Sequence, residues 1–227
     1  MKLSKNILPI ILLTIFYISC EKPKENTQKV EENEKLEQKV EKTEENVIVP
    51  NQKLTKEHQI ASAVLAAPEE TRAGAKVYGY DDEGNFITLR EGTNAMICIA
   101  DNPNKKGFQV VAYHKDLDPF MARGRALKAE GKKTQELRAI REQEGKDGKL
   151  ELPKNPSTLH VLQGEKGGFD VESATNVNTH YRYVVYMPFA TQESTGLSLK
   201  PNAPGHPWLM FPGTAGAHIM ITPPTEK

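Results

Sequence analysis

The chain has 227 residues, enough for one domain of the usual size, about 100–200 residues, with segments to spare. Its 30 Lys and Arg balance its 30 Asp and Glu, which argues against a nucleic-acid-binding protein, a class that normally shows a basic excess. Hydrophobic residues make up 37% of the chain, a low share that fits a globular core accompanied by a polar segment outside it.

Lys2 and Lys5 open the chain with positive charge, and Ile7 to Ile18 is then almost wholly apolar. That run is shorter than the ~20 residues a membrane-crossing helix needs. It matches the apolar core of a secretory signal, about 7–15 residues long. Tyr17-Ile18-Ser19-Cys20 follows, a small residue directly before a cysteine at the end of the apolar core. This arrangement resembles the lipobox of bacterial lipoproteins, although Tyr17 stands where that family more often has Leu. The resemblance implies a diacylglycerol on the Cys20 thiol, cleavage before Cys20 and acylation of the new amine. Two or three acyl chains would hold the protein to a membrane of the bacterial cell envelope far more firmly than one. Lipidation would also leave Cys98 as the one free thiol and exclude an intramolecular disulfide.

From Glu21 to about Asn46 the chain is nearly all Glu, Lys, Asn, Gln and Thr, with Val30, Leu36 and Val40 as its aliphatic residues. Such a composition buries too little surface to offset the entropy of ordering, so a solvated spacer is expected. The expected organisation is a signal peptide over 1–19, the lipidated Cys20 and a charged tether over 20–54, and one α+β domain over 55–227.

Within the domain, Gln59 to Ala67 reads as a short helix stopped by Pro68. Ala75 to Tyr80 and Phe86 to Arg90 read as strands joined by the turn Asp81-Asp82-Glu83-Gly84-Asn85. Ala95 to Ala100 is continuously apolar, as in a strand buried on both faces, and Phe108 to His114 is another strand. Asp118-Pro119 opens a helix, with Asp118 expected as its N-cap and Phe120, Gly124 and Leu127 on its inner face. A second helix over 134–143 brings Leu137 and Ile140 together. Strands are expected over 158–162, 182–187, 208–211 and 217–222, with a rigid Pro/Gly-rich loop over 201–207. No βα unit repeats, which favours an antiparallel or mixed sheet with a helical pair to one side.

No phosphate loop, dinucleotide glycine fingerprint, Gly-x-Ser-x-Gly or His-Glu-x-x-His is present. The candidate polar cleft is therefore assembled from residue types. His114, Asp116, Arg123 and Arg125 flank a strand-to-helix junction whose free N–H groups suit an anion, and His206 and His218 lie near strand ends. His114, Asp116, His206 and His218 are the candidate ligands of a divalent metal, being imidazole and carboxylate donors without a ligand spacing that demands one. The competing reading has Asp118 capping a helix, the arginines solvating it and each histidine serving a local hydrogen bond. Cys98, between Ile97 and Ile99, reads as core. Alternation places His180, Arg182 and Tyr186 on one face of their strand and Tyr181 and Tyr183 on the other.

These residues suggest an envelope lipoprotein whose domain binds a small ligand or another envelope protein. The rivals are a metal-dependent or acid–base hydrolase built on His114, Asp116, His206 and His218, and an assembly subunit docking through the helical pair.

Overall fold

The computed structural model describes residues 53–224; the apolar leader, Cys20 and the charged stretch to Asn46 lie outside them. The described part is α+β, built on one eight-stranded mixed sheet. Its strands are β1 (Lys76–Tyr80), β2 (Phe86–Arg90), β3 (Met96–Ile99), β4 (Phe108–His114), β5 (Ser157–Gly164), β8 (His180–Tyr186), β9 (Trp208–Met210) and β10 (His218–Ile221). They lie in the order β2-β1-β3-β4-β5-β8-β10-β9. β1 and β3 pair in parallel, and every other pairing in this sheet is antiparallel. A separate hairpin joins β6 (Gly168–Asp170) to β7 (Thr175–Val177).

Four helical elements matter for the layers. They are α1 (Lys56–Val64), α2 (Asp118–Ala129), α3 (Thr134–Lys146) and the single turn α4 (Gln192–Thr195). The expected helical pair is α2 and α3, lying on one face of the sheet, while α1 covers part of the other. Alternation along each strand divides the core between these faces. Met96, Cys98, Val110, Ala112 and Leu162 point toward α1, whereas Ile97, Tyr113, Leu159, Val161 and Val184 point toward α2.

The α1 layer is tight because its contacting side chains are small. Ala63, Ala66 and Ala67 are buried against Val77, Cys98 and Val110. Cys98 is the core residue expected, and burial pushes its thiol up to about 12, far from a reactive thiolate. Thr55 caps α1 by accepting from the His58 N–H. Gln59 then docks the helix on β1: its amide donates to Tyr80 O at 2.9 Å, and its Oε1 accepts from Tyr80 N at 2.9 Å. This approach needs Gly79, since a Cβ there would stand 2.6 Å from Gln59 Oε1. The far side of the chain secures the helix. Ser62 Oγ donates to Asn176 Oδ1 at 2.8 Å, the Asn176 amide donates to Ser62 O at 3.0 Å, and Tyr181 Oη donates to Leu65 O at 2.9 Å.

The turn between β1 and β2 is the hairpin expected. Asp81 Oδ1 accepts from the Glu83 and Asn85 N–H groups, and Gly84 takes φ +82°, which glycine adopts without penalty.

Candidate functional site

Between the α2–α3 pair and the sheet lies a cleft of about 1160 Å³. That is at or above the upper end of the range for small-molecule sites, about 300–1,000 Å³. Its floor is the outward face of β3, β4, β5, β8 and β10, including Ile99, Val111, Gln163, Tyr186 and His218. Its roof comes from α2 and α3, through Phe120, Met121, Leu137 and four cations, Arg125, Lys128, Arg138 and Arg141. Phe211, after β9, closes one end.

At that end, aromatic rings and guanidinium groups interleave. Arg141 lies 3.9 Å from the centroid of Phe120, and Arg138 lies 4.4 Å from that of Phe211. Phe120 packs on Tyr186 at 5.6 Å, Tyr186 on His218 at 5.0 Å, and His218 on Phe211 at 5.7 Å. Arg141 reaches this position past Gly124 of α2, where a Cβ would stand 3.1 Å from its Nη1. A mid-helix glycine costs about 1 kcal/mol against alanine; here it leaves room for the guanidinium.

The charge here has no internal counterpart. Neither Arg138 nor Arg141 forms an ion pair with a carboxylate among the described residues. Arg141 Nη1 donates to Phe120 O at 3.1 Å, and its buried Nε has no acceptor among the described residues. Leaving a buried donor unpaired costs about 1–3 kcal/mol. Burial first, and then the charge of Arg138, holds the Arg141 guanidinium below its usual range. Lys128 is lowered by burial, then by Lys105 and Arg141. Glu142 lines the same cleft, but its carboxylate is engaged, accepting from Ala215 N at 2.6 Å and pairing with Lys146 at 2.9 Å. At the other end Lys105 shares the wall with Asp101 and Glu165, so that end is mixed in sign.

His218 is the one expected site histidine that lines the cleft, and Arg125 the one expected arginine. Burial lowers the His218 imidazole, as does Arg138, against the opposing effect of the Gly216 carbonyl. A neutral ring whose Nδ1–H donates to Gly216 O at 2.8 Å satisfies these surroundings and leaves Nε2 as an acceptor. Arg125 is held by Asp118 at 3.0 Å and by Tyr113 Oη at 3.0 Å, and lies over the rings of Tyr78 and Phe86. Asp118 therefore does not cap α2. Its Oδ1 accepts from the buried Tyr113 hydroxyl at 2.8 Å and from Arg125, and the cap position falls to Leu117, which makes no side-chain cap bond.

The other expected site residues do not join them. His114 ends β4, where Nδ1 accepts from the Asp116 N–H at 3.3 Å, and these two residues form a local pair. Three strand spacings, about 14 Å in all, separate the lines of β4 and β10 and hence His114 from His218. His206 is exposed in the loop before β9. Among the described residues, no three His, Cys, Asp or Glu side chains gather as a metal set. The metal candidates His114, Asp116, His206 and His218 are thus not gathered into one site: His114 and Asp116 sit together at the end of β4, three strands from His218, and His206 is exposed in a loop. Arg123 turns to Glu144, at 2.7–3.1 Å, and to Glu130, binding α2 to α3 outside the cleft.

The aromatic alternation on β8 is as expected: His180 and Tyr186 line the cleft, while Tyr181 and Tyr183 stack at 5.4 Å on the opposite face. The residues missed are Arg138, Arg141 and Lys128. The available signal was the i, i+3 spacing of Arg138 and Arg141 beside Leu137 on one helix.

Compared with protein-family models, with curated proteins and with solved structures, the chain matches none of them.

Proposed function

We propose that this chain is a lipid-anchored protein of the bacterial cell envelope whose domain binds a small ligand in the cleft between α2–α3 and the sheet. The observation that carries the reading is the cleft itself. It is a concave, largely apolar space of about 1160 Å³ with a few convergent polar groups, the usual anatomy of a ligand site. Binding rather than chemistry is favoured by what lines it. The rings of Phe120, Tyr186 and Phe211 and the guanidinium groups of Arg138 and Arg141 are recognition groups, and His218 is tied to Gly216. The anchor rests on the lipobox-like sequence ending in Cys20.

Two measurements test the two halves. The full-length chain, extracted from its host membrane and then denatured, is expected to release a stoichiometric small molecule detectable by mass spectrometry. Repeated recovery of an empty protein that also binds nothing from a metabolite extract would remove the ligand reading. Labelled fatty acid is expected to enter the native chain but not Cys20→Ala, and the variant should leave the membrane fraction or stay unprocessed. Incorporation into Cys20→Ala would remove the anchor.

A further inference from the structure

We propose that the ligand of the cleft is an amphipathic anion, its carboxylate or phosphate seated on Arg138 and Arg141 and its flat apolar body lying against Phe120, Tyr186 and Phe211. The inference rests on the ligand-binding reading above and specifies its chemistry.

Three observations lead to it. First, two guanidinium groups three residues apart on α3 line one end of the cleft without a carboxylate partner among the described residues. Arginines with a structural task in this protein look different: Arg123 has Glu144 and Glu130, and Arg125 has Asp118. Glu142, which could have neutralised the pair, is committed to the Ala215 N–H and to Lys146. Second, Arg141 is incompletely satisfied. Nη1 reaches Phe120 O, Nε has no acceptor, and Nη2 makes no hydrogen bond among the described residues. A planar fork with free donors matches the oxygens of a carboxylate or phosphate. Third, the surroundings are aromatic and lie within reach. Phe120 and Phe211 each carry one guanidinium over the ring, and Tyr186 and His218 bridge them at 5.0–5.7 Å spacings. An apolar body placed there would meet ring faces, while its charged end would meet the cations. The Tyr186 hydroxyl, without a hydrogen bond among the described residues, adds a donor beside the same seat.

The mixed end of the cleft sets the polarity. There Asp101 and Glu165 face Lys105 and Lys106, charges that can offset one another, whereas Arg138 and Arg141 have no carboxylate partner among the described residues, so the head is placed with them.

The test uses the full-length chain in nanodiscs of phosphatidylcholine, with empty nanodiscs as baseline. The probes are 2-naphthoate, its uncharged counterpart 2-naphthamide, and 2-naphthyl phosphate. Naphthoate and the phosphate should bind at least tenfold more tightly than the amide, the discrimination expected of charge-assisted hydrogen bonds. Arg141→Met should erase most of that preference, read as the ratio of acid to amide affinity. Arg138→Met, on an exposed side chain, should reduce it severalfold without any demand on folding. Displacement of bound naphthoate by phosphatidylglycerol vesicles would assign the anion to a lipid headgroup, and resistance to them would assign it to a free acid. Equal binding of acid and amide, or an acid preference that survives both substitutions, would overturn the anionic ligand and leave the cleft a binding site. Failure of all three probes to bind would overturn both.

Discussion

The two faces of the sheet come from the same strands, residue by residue in alternation, and yet they end differently. On the α1 side the helix and the turn after it contribute Ala63, Ala66 and Ala67, and the sheet contributes Val77, Cys98 and Val110. Small side chains let helix and sheet approach closely. Under α2 and α3 the helices contribute Phe120 and Leu127 on one flank, but Lys128, Arg138 and Arg141 on the other. Charges cannot be dried without a partner at tolerable cost, so the pair stands off the sheet and a cleft remains. The difference teaches that the open face is written largely in a few helix residues, Lys128, Arg138 and Arg141.

Four experiments would break or sharpen this contrast. The largest effect is expected on the closed face. Leu162→Ala removes a buried side chain from the α1 layer and should cost about 2–5 kcal/mol in denaturant unfolding. A cost below about 1 kcal/mol would mean that this face is as loosely filled as the other.

Next comes the polar tie at the inner edge of the cleft. Tyr113→Phe removes the hydroxyl that joins Asp118 and Arg125 and should cost about 1.5–3 kcal/mol, the range for a hydrogen bond to charged groups. A neutral result would show that the Asp118–Arg125 pair is sufficient alone.

The third experiment is acidification, since each face holds one histidine depressed below the usual 6.5: His160 by burial on the α1 side, His218 chiefly by burial on the cleft side. The sign follows from proton counting. Below pH 6.5 the unfolded chain takes up protons that the native rings still refuse, so stability falls as pH drops toward the native values and is flat above about 7. The loss precedes that of the carboxylates held low by their hydrogen bonds, such as Asp81 and Glu144, which act at lower pH. Melting temperatures between pH 8 and 5 should show this slope, and His160→Gln or His218→Gln should flatten its share. A slope unaltered in both variants would assign it to other groups.

The smallest effect is expected where the two faces differ most. Arg141→Met should leave stability unchanged or raise it by up to about 1 kcal/mol, because it removes a buried donor without a partner. A loss larger than 1 kcal/mol would make Arg141 a structural residue of the α2–α3 layer.

Much of the fold was legible because strands such as Phe108–His114 and Met96–Ile99 are apolar, branched and bounded by turn residues. The hairpin of Gly168–Asp170 and Thr175–Val177 was not, since three residues each, half of them polar, carry no periodicity. At the site, Arg125 and His218 were legible as residue types, but their company was not. Arg123 and Arg141 look alike in sequence, each on a charged helix. Glu144, which separates them by taking Arg123, lies 21 residues beyond Arg123, on the other helix. His114 and His218 could be placed near strand ends, but the strand order that holds them apart is a long-range property absent from either segment.

The bonds that secure α1 have a consequence in time. Ser62 waits for Asn176, and Leu65 for Tyr181, separations of 114 and 116 residues. At a synthesis rate of about 5–20 residues per second, the helix exists for roughly 6–23 seconds before its last partners emerge. Through that interval the alanine face of α1 and the strands beneath it lack their final clasp. The domain therefore stays unfinished until Asn176 and Tyr181 have been made.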